Sequence, residues 1–291
     1  MGIGEKFENF YKAIIMSPSD ISDVSSRYQR ITKKLNQYFY NSESNTNHCL
    51  YVGSYGRDTE TFKSDIDMLF ELPSSKYTQY NNYIGNGQSA LLQEVKRAIS
   101  MTYPSTVLKG DGQIISVSFY DGMTVEVLPA FKLTDGSYYY ADTNNGGSWK
   151  KTDPKAEQNA VQELNNSTNK NYKKLCRIMR IWKTVNSVNI PGVLIDILTY
   201  NFCKNYDFNN KSYFWFDYFT RDLLQYISQV PKTQNKWKLM GSDRYIYHYG
   251  DFQDAAQKSY DDALKAIDYE ERKNPYLSPD TQWRKIYGSK F

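Results

Sequence analysis

A chain of 291 residues, 40% hydrophobic and 23% charged, is long enough to bury one large core or two smaller ones and has the balance of a globular protein. Its 36 basic against 32 acidic side chains leave a net charge of +4, too mild to announce a protein that binds nucleic acid by charge alone. Three cysteines without paired spacing and two histidines speak against a disulfide framework or a structural zinc cluster, no apolar run reaches the ~20 residues of a membrane span, and a reduced, cytoplasmic setting is expected.

The N-terminus has no apolar signal region, and Lys6 stands where a myristoylation signal needs Ser or Thr. Ser17-Pro18-Ser19-Asp20 offers helix caps, and Ile21, Val24, Tyr28, Ile31, Leu35 and Tyr38 then recur at helical spacing, which predicts one amphipathic helix from about 21 to 40. After a polar break at 41–47, Cys49 to Val52 reads as a short strand leading into Gly53-Ser54, and Ile66 to Leu72 as a second strand. Residues 87 to 102 read as helix. Gln113–Phe119 and Thr124–Ala130 are β-rich runs joined through Asp121-Gly122, a strong hairpin signal, and Tyr138–Tyr140 is a further short strand. Beyond Gly146-Gly147 the periodicity turns helical, over about 155–166, 170–186, 192–206, 214–228 and 253–270. The expected organisation is a catalytic α/β lobe over 1–150 and a helical lobe over 151–291 that completes the active-site cleft.

The chemistry lies in Gly53-Ser54 followed by Asp65-Ile66-Asp67. On a strand, residues i and i+2 face the same side roughly 6–7 Å apart, so Asp65 and Asp67 present two carboxylates together while Ile66 turns into the core. Like charges so placed do little for stability, but magnesium takes oxygen ligands and bridges carboxylates to phosphates. A site holding two such ions usually needs a third carboxylate, and Glu126 interrupts the apolar run Val125-Val127-Leu128 at what reads as a core-facing position. Gly53 lets backbone N–H groups approach a triphosphate, and Ser54 adds a hydroxyl and an amide. Singly these features are ordinary: a turn, a solvated strand edge, a charge that protects an edge strand. In this order and spacing they point to phosphoryl transfer, with a sugar hydroxyl attacking the α-phosphate and pyrophosphate leaving.

The run GSYGRDTETFKSDIDMLFELP, followed by VEVLPAF, SWKKTDPKAEQNAVQELN, LCRIMRIWKTVN and the final TQWRKIYGSKF, resembles the bacterial cGAS/DncV-like nucleotidyltransferases (CD-NTases) of CBASS antiphage systems. The resemblance covers most of the chain. It implies an α+β, polymerase-β-like fold, with a mixed-sheet lobe and a long spine helix packed on a C-terminal helical lobe. It also implies synthesis of a cyclic di- or trinucleotide from NTPs, and a downstream effector that responds to the product. By the same resemblance Asp65, Asp67 and Glu126 are the catalytic and metal-binding triad for two Mg2+ ions, with Mn2+ as a substitute, and Gly53 and Ser54 bind the nucleotide. Glu126 stands where some relatives carry Asp. Arg180 and Lys183, at i and i+3 of a predicted helix, share a face from which they can reach phosphates. Relatives often carry a Ser-Tyr pair at the start of the next helix; this chain has Gly192-Val193 there, which leaves Tyr200 as a replacement stacking platform.

Two other readings share the motif: a non-cyclic nucleotidyltransferase acting on RNA, protein or a small molecule, and a nucleic-acid-binding sensor. An activating RNA or DNA would need a basic surface, for which Arg27, Arg30, Lys33 and Lys34, or Lys170, Lys173, Lys174 and Arg177, are the candidates, against their ordinary role as solvated helix faces. A monomer without membrane association is expected.

Overall fold

The computed structural model describes residues 1–62, 65–104, 106–208, 211–273 and 276–291. They form two compact units. One comprises Met16–Asp58 and Phe62–Ala156, the other Met1–Ile15, Thr59–Thr61 and Glu157–Phe291.

Helix α1, Ile3–Ile14, is the first element of the second unit. The long helix α2, Pro18–Tyr40, opens the first unit and starts where its sequence dictates. The Ser17 side chain accepts from the Asp20 amide, the Asp20 carboxylate accepts from the Ser17 amide, and Pro18 sits in the first turn. It ends at Asn41 in the left-handed region, φ 49°. The polar break is organised by buried Asn36, whose amide nitrogen donates to the carbonyls of Thr32, Ser44 and Asn47.

A seven-stranded mixed sheet follows. Its strands are β1 Cys49–Tyr51, β2 Ile66–Glu71, β3 Val107–Asp111, β4 Ile114–Ser118, β5 Thr124–Lys132, β6 Tyr138–Asp142 and β7 Ser148–Thr152, and it is interleaved with helices α3 Gly53–Arg57, α4 Ser74–Asn81 and α5 Gly87–Ser100. The order is β1-β2-β5-β4-β3, with β6 paired to the far end of β5 and β7 to β6. Among the described residues only β2–β5 is a parallel pairing in this sheet. Alternation sorts the side chains: Ile66, Met68 and Phe70 of β2 and Val125 and Val127 of β5 are buried with the inner faces of α2 and α5. Each such side chain contributes about 1.5–3 kcal/mol when fully buried. Leu69, Ala130, Tyr138 and Tyr140 form a smaller cluster on the opposite face, with Leu50, Val52 and Leu128 packed on it.

The second unit continues with α6 Pro154–Ser167, α7 Asn171–Val185, α8 Gly192–Cys203, α9 Phe216–Ser228, the hairpin β8 Lys236–Lys238 and β9 Tyr245–Tyr247, α10 Gln253–Arg272 and α11 Pro279–Tyr287. Its core is aromatic: Phe7 of α1 meets Trp283 edge-on at 5.2 Å, and Phe10 lies 4.9 Å from Tyr287. The hydroxyl of buried Tyr287 pairs with that of Thr220 at 2.7 Å. Among the described residues, no helix is long and apolar enough to cross a membrane.

Candidate active site

Strands β2 and β5 run in parallel with Asp67 opposite Glu126. Paired residues of a sheet point to the same face from strands ~4.8 Å apart, so the two carboxylates are neighbours. The face is the one carrying Leu69 and Leu128, not the core face. The expectation that Glu126 replaces a core residue is corrected here. Val125 and Val127 are the buried positions and Glu126 is half-buried between them, so alternation on the strand places its side chain off the core face.

Asp65 sits one residue before β2, exposed, and its Oδ1 accepts a hydrogen bond from the Thr124 amide at 3.2 Å. It thus stands beside the start of β5, two residues ahead of Asp67 on the same alternation. Among the described residues no three His, Cys, Asp or Glu side chains are gathered into a closed metal-holding group. The donor set is nonetheless that of a hard divalent cation, oxygen only, from carboxylates carried by adjacent strands.

Gly53 explains why the Gly-Ser pair precedes the two aspartates. The Val52 amide donates to the Asp67 carbonyl at 2.9 Å, bringing the start of α3 alongside β2. At Gly53 φ is +59°, and a Cβ there would run into the Asp67 carboxylate. Glycine is required twice over, by its backbone and by the space beside Asp67. Ser54 is the next residue of this turn. The structure therefore brings Gly53, Ser54, Asp65, Asp67 and Glu126 to one end of the parallel pair.

Arg180, Lys183 and Tyr200 lie in the other unit. Arg180 is occupied. Its Nη2 donates to Asp196 Oδ2 at 2.7 Å, to the Gly192 carbonyl at 3.2 Å and to Thr59 Oγ1 at 3.3 Å, while Thr59 Oγ1 donates to Asp196 Oδ2 at 2.9 Å. Asp196 and Thr59 are wholly buried. A Cβ at Gly192 would collide with the Arg180 guanidinium, so the departure from the Ser-Tyr pair has a packing cause. Lys183 is half-buried on α7; burial, then the Arg180 charge, pull its ammonium below the usual lysine range. Tyr200 stands edge-on to Tyr172, centroids 5.9 Å apart, and lines a cavity of about 290 Å³ with Lys204 and the β8–β9 turn.

Both basic stripes are largely engaged. Arg27 makes a two-pronged ion pair with Asp121 at 2.8 and 3.0 Å with its guanidinium 4.4 Å above Phe119, Arg30 lies over Tyr103, and Lys33 pairs with Glu43. Arg177 is buried, with Nε on the Glu60 carbonyl at 2.9 Å and Nη2 on the Glu60 carboxylate at 3.0 Å. Lys174 lies over Tyr213 with its pKa lowered by burial. The grip on Thr59 and Glu60 had no sequence signal: Thr59 and Asp196 are 137 positions apart.

A family model described as the Second Messenger Oligonucleotide or Dinucleotide Synthetase domain matches residues 1–165. A probable cyclic nucleotide synthase of Bacillus cereus is 29% identical over 94 residues, 31% of this chain and only 28% of that protein's length. Among solved structures, Escherichia coli MS115-1 CdnC, in its complex with HORMA-deltaN, superposes with a TM-score of 0.66 at 15% identity, over 99% of this chain and 97% of that one. Bradyrhizobium diazoefficiens CdnG, a CD-NTase solved with GTP, gives 0.66 at 10% identity over 98% and 95%. Escherichia coli DncV, solved with 3′-deoxy GTP, gives 0.64 at 11% identity over 95% and 92%. Likeness at these identities establishes the fold, the α+β arrangement of the CD-NTases, and the domain match establishes the relationship. The chain belongs to the Second Messenger Oligonucleotide or Dinucleotide Synthetase family.

Proposed function

We propose that the protein is a nucleotidyltransferase that joins NTPs into a cyclic oligonucleotide with release of pyrophosphate, and that the product signals to a downstream effector in antiphage defence. The observation that carries this reading is the parallel register of Asp67 with Glu126, with Gly53 backed against Asp67.

Asp65, Asp67 and Glu126 would hold divalent cations, Mg2+ with Mn2+ as substitute, which supply neutralisation of phosphate charge and of the departing pyrophosphate. Gly53 keeps the space beside Asp67 open, and the Ser54 hydroxyl and amide are the donors offered to the terminal phosphates. The attacking sugar hydroxyl forms the new ester bond at the α-phosphorus as the α–β bridging bond breaks, and its proton passes to the carboxylate set. Lys183 and Tyr200 are proposed as nucleotide contacts; Arg180 is assigned to holding Asp196 and Thr59. A cytoplasmic monomer is proposed.

The test is incubation of the pure protein with the four labelled NTPs and Mg2+ or Mn2+, followed by phosphatase treatment and mass analysis. A phosphatase-resistant cyclic product that disappears with Asp65→Asn/Asp67→Asn is expected. A linear product, or transfer only to added RNA, would replace the cyclic reading with the acceptor-directed one.

A further inference from the structure

Helix α3, which carries Gly53 and Ser54, is five residues long. One turn of helix is marginal by itself, since isolated helices need about 12–15 residues to hold their shape in water. Within it the Gly56 amide donates to the Val52 carbonyl at 2.9 Å, and the Asp58 amide, at φ 55°, closes the turn on the Ser54 and Tyr55 carbonyls. Where Ser54 stands is therefore decided by what this turn rests on.

Two supports flank Ser54, one residue to either side. On the first, Gly53 backs onto the Asp67 carboxylate, on the sheet face that bears Leu69 and Leu128. The second is a row of tyrosines against the core. Alternation along β1 turns Tyr51 to the core face, opposite buried Met68. Tyr51 and the half-buried Tyr55 both pack on the core cluster that contains Tyr28. The Tyr51 ring is stacked on that of Tyr28, with centroids 4.0 Å apart and planes 21° from parallel, and Tyr55 continues the row at 5.9 Å and 25°. Both ends of the row are fixed. Tyr28 is buried on α2 with its phenol hydrogen-bonded to the Cys49 thiol, and the Tyr55 hydroxyl donates to the Met16 sulfur at 3.6 Å. Aromatic pairs of this kind contribute beyond the area they bury.

We propose that Tyr55 is a positioning residue for the nucleotide: seated on Tyr51 and Tyr28, it holds Ser54 where its hydroxyl and amide meet the phosphates. The proposal rests on the nucleotidyltransferase reading of the site. A displacement of about 1 Å in a positioning element can cost as much as 10²-fold, so loosening the row weakens the phosphate contacts while the carboxylates on β2 and β5 stay in place.

The test is calorimetric titration of the full chain, with Mg2+, by the α,β-methylene analogues of the four NTPs, which resist transfer. For the analogue that the wild type binds best, Tyr55→Ala is expected to weaken affinity about tenfold, the equivalent of one charge-assisted hydrogen bond. Tyr55→Phe keeps the ring and should stay within about threefold. In a Ser54→Ala background the loss from Tyr55→Ala should shrink to about threefold or less, because the two changes remove the same contact. A tyrosine that served stability alone would lower the unfolding midpoint and leave the affinity of the folded protein unchanged. Should Tyr55→Ala fail to fold, Tyr55→Leu, which keeps apolar volume without the flat ring, takes its place in the same cycle. Unchanged affinity in the folded variant, or a full tenfold loss that persists in Ser54→Ala, would overturn the proposal. Binding of none of the four analogues by the wild type would overturn the nucleotide reading itself, and this proposal with it.

Discussion

Replacing Arg180 by methionine keeps most of its apolar stem and removes the guanidinium that meets Asp196 at 2.7 Å. Asp196 is then a wholly buried carboxylate whose nearest cation has gone, leaving the Thr59 hydroxyl at 2.9 Å as the contact that remains from this cluster. Breaking a buried pair from one side costs about 3–5 kcal/mol, because the abandoned charge keeps its desolvation penalty. At ~2–4 °C per kcal/mol for a domain of this size, the melting midpoint should fall by about 6–20 °C. The double variant Arg180→Met/Asp196→Leu removes both charges at similar volume and should recover most of the loss, short of the ~1 kcal/mol hydrogen bond that Thr59 gives up. Thermal and urea unfolding of the single and double variants measure both quantities. If Arg180→Met melts like the wild type while the KM for NTPs rises severalfold, the structural assignment is wrong. Arg180 would then be the phosphate ligand that its place on α7 suggests.

Three further outcomes are expected. Gly53→Ala should fold, with a backbone cost of about 1–2 kcal/mol for alanine at positive φ, yet lose nearly all turnover, since its Cβ displaces the Asp67 carboxylate; a kcat within a few-fold of wild type would contradict the site geometry. Asp67→Asn should abolish nucleotide transfer while leaving the metal-free protein as stable or up to ~1 kcal/mol more stable, because like charges opposite one another in a sheet repel; urea unfolding in EDTA reads it, and a clear loss of stability would refute the paired placement. Asp217, buried at the start of α9, has its pKa raised to about 6, chiefly by desolvation. Because the folded state holds that proton more tightly than the unfolded one, the contribution of Asp217 is most favourable below the unfolded value near 4 and is lost as pH rises to about 6. Asp217→Asn should therefore stabilise the protein at pH 7 by on the order of 2–3 kcal/mol and by progressively less towards pH 4; a difference from wild type that does not change with pH would rule this out.

What could be read from the sequence was what local spacing controls. Helix α2 appears at Pro18–Tyr40 because its caps and its apolar stripe lie within one continuous segment, and the β4–β5 hairpin forms about Asp121-Gly122 for the same reason. Helix α1 carries a shorter stripe, Phe7, Phe10 and Ile14, without a side-chain cap to mark its start; β3, β7 and the β8–β9 hairpin are short and carry no strong turn or alternation signal. The face of Glu126 is not legible in the sequence because a run of apolar residues on one strand does not reveal that both faces of the sheet are covered, as the second cluster around Leu69, Leu128 and Tyr138 shows.

Arg180 and Gly192 illustrate a different obstacle. Each read alone was ambiguous, a basic residue on a helix face and a glycine where relatives often carry serine. Only the fold shows that they are one feature, a guanidinium lying over a missing side chain and turned towards Asp196. The same holds for tyrosine, 27 of them in the chain. Their number alone fits a stacking surface as well as a core. Yet the hydroxyls of Tyr80, Tyr172, Tyr206 and Tyr287 are bonded to Glu94, the Asp196 carbonyl, Asp222 and Thr220. A buried tyrosine is best served by such a partner for its polar tip, so Tyr80, Tyr172 and Tyr287 are core residues and Tyr206 is a half-buried one anchored at its edge.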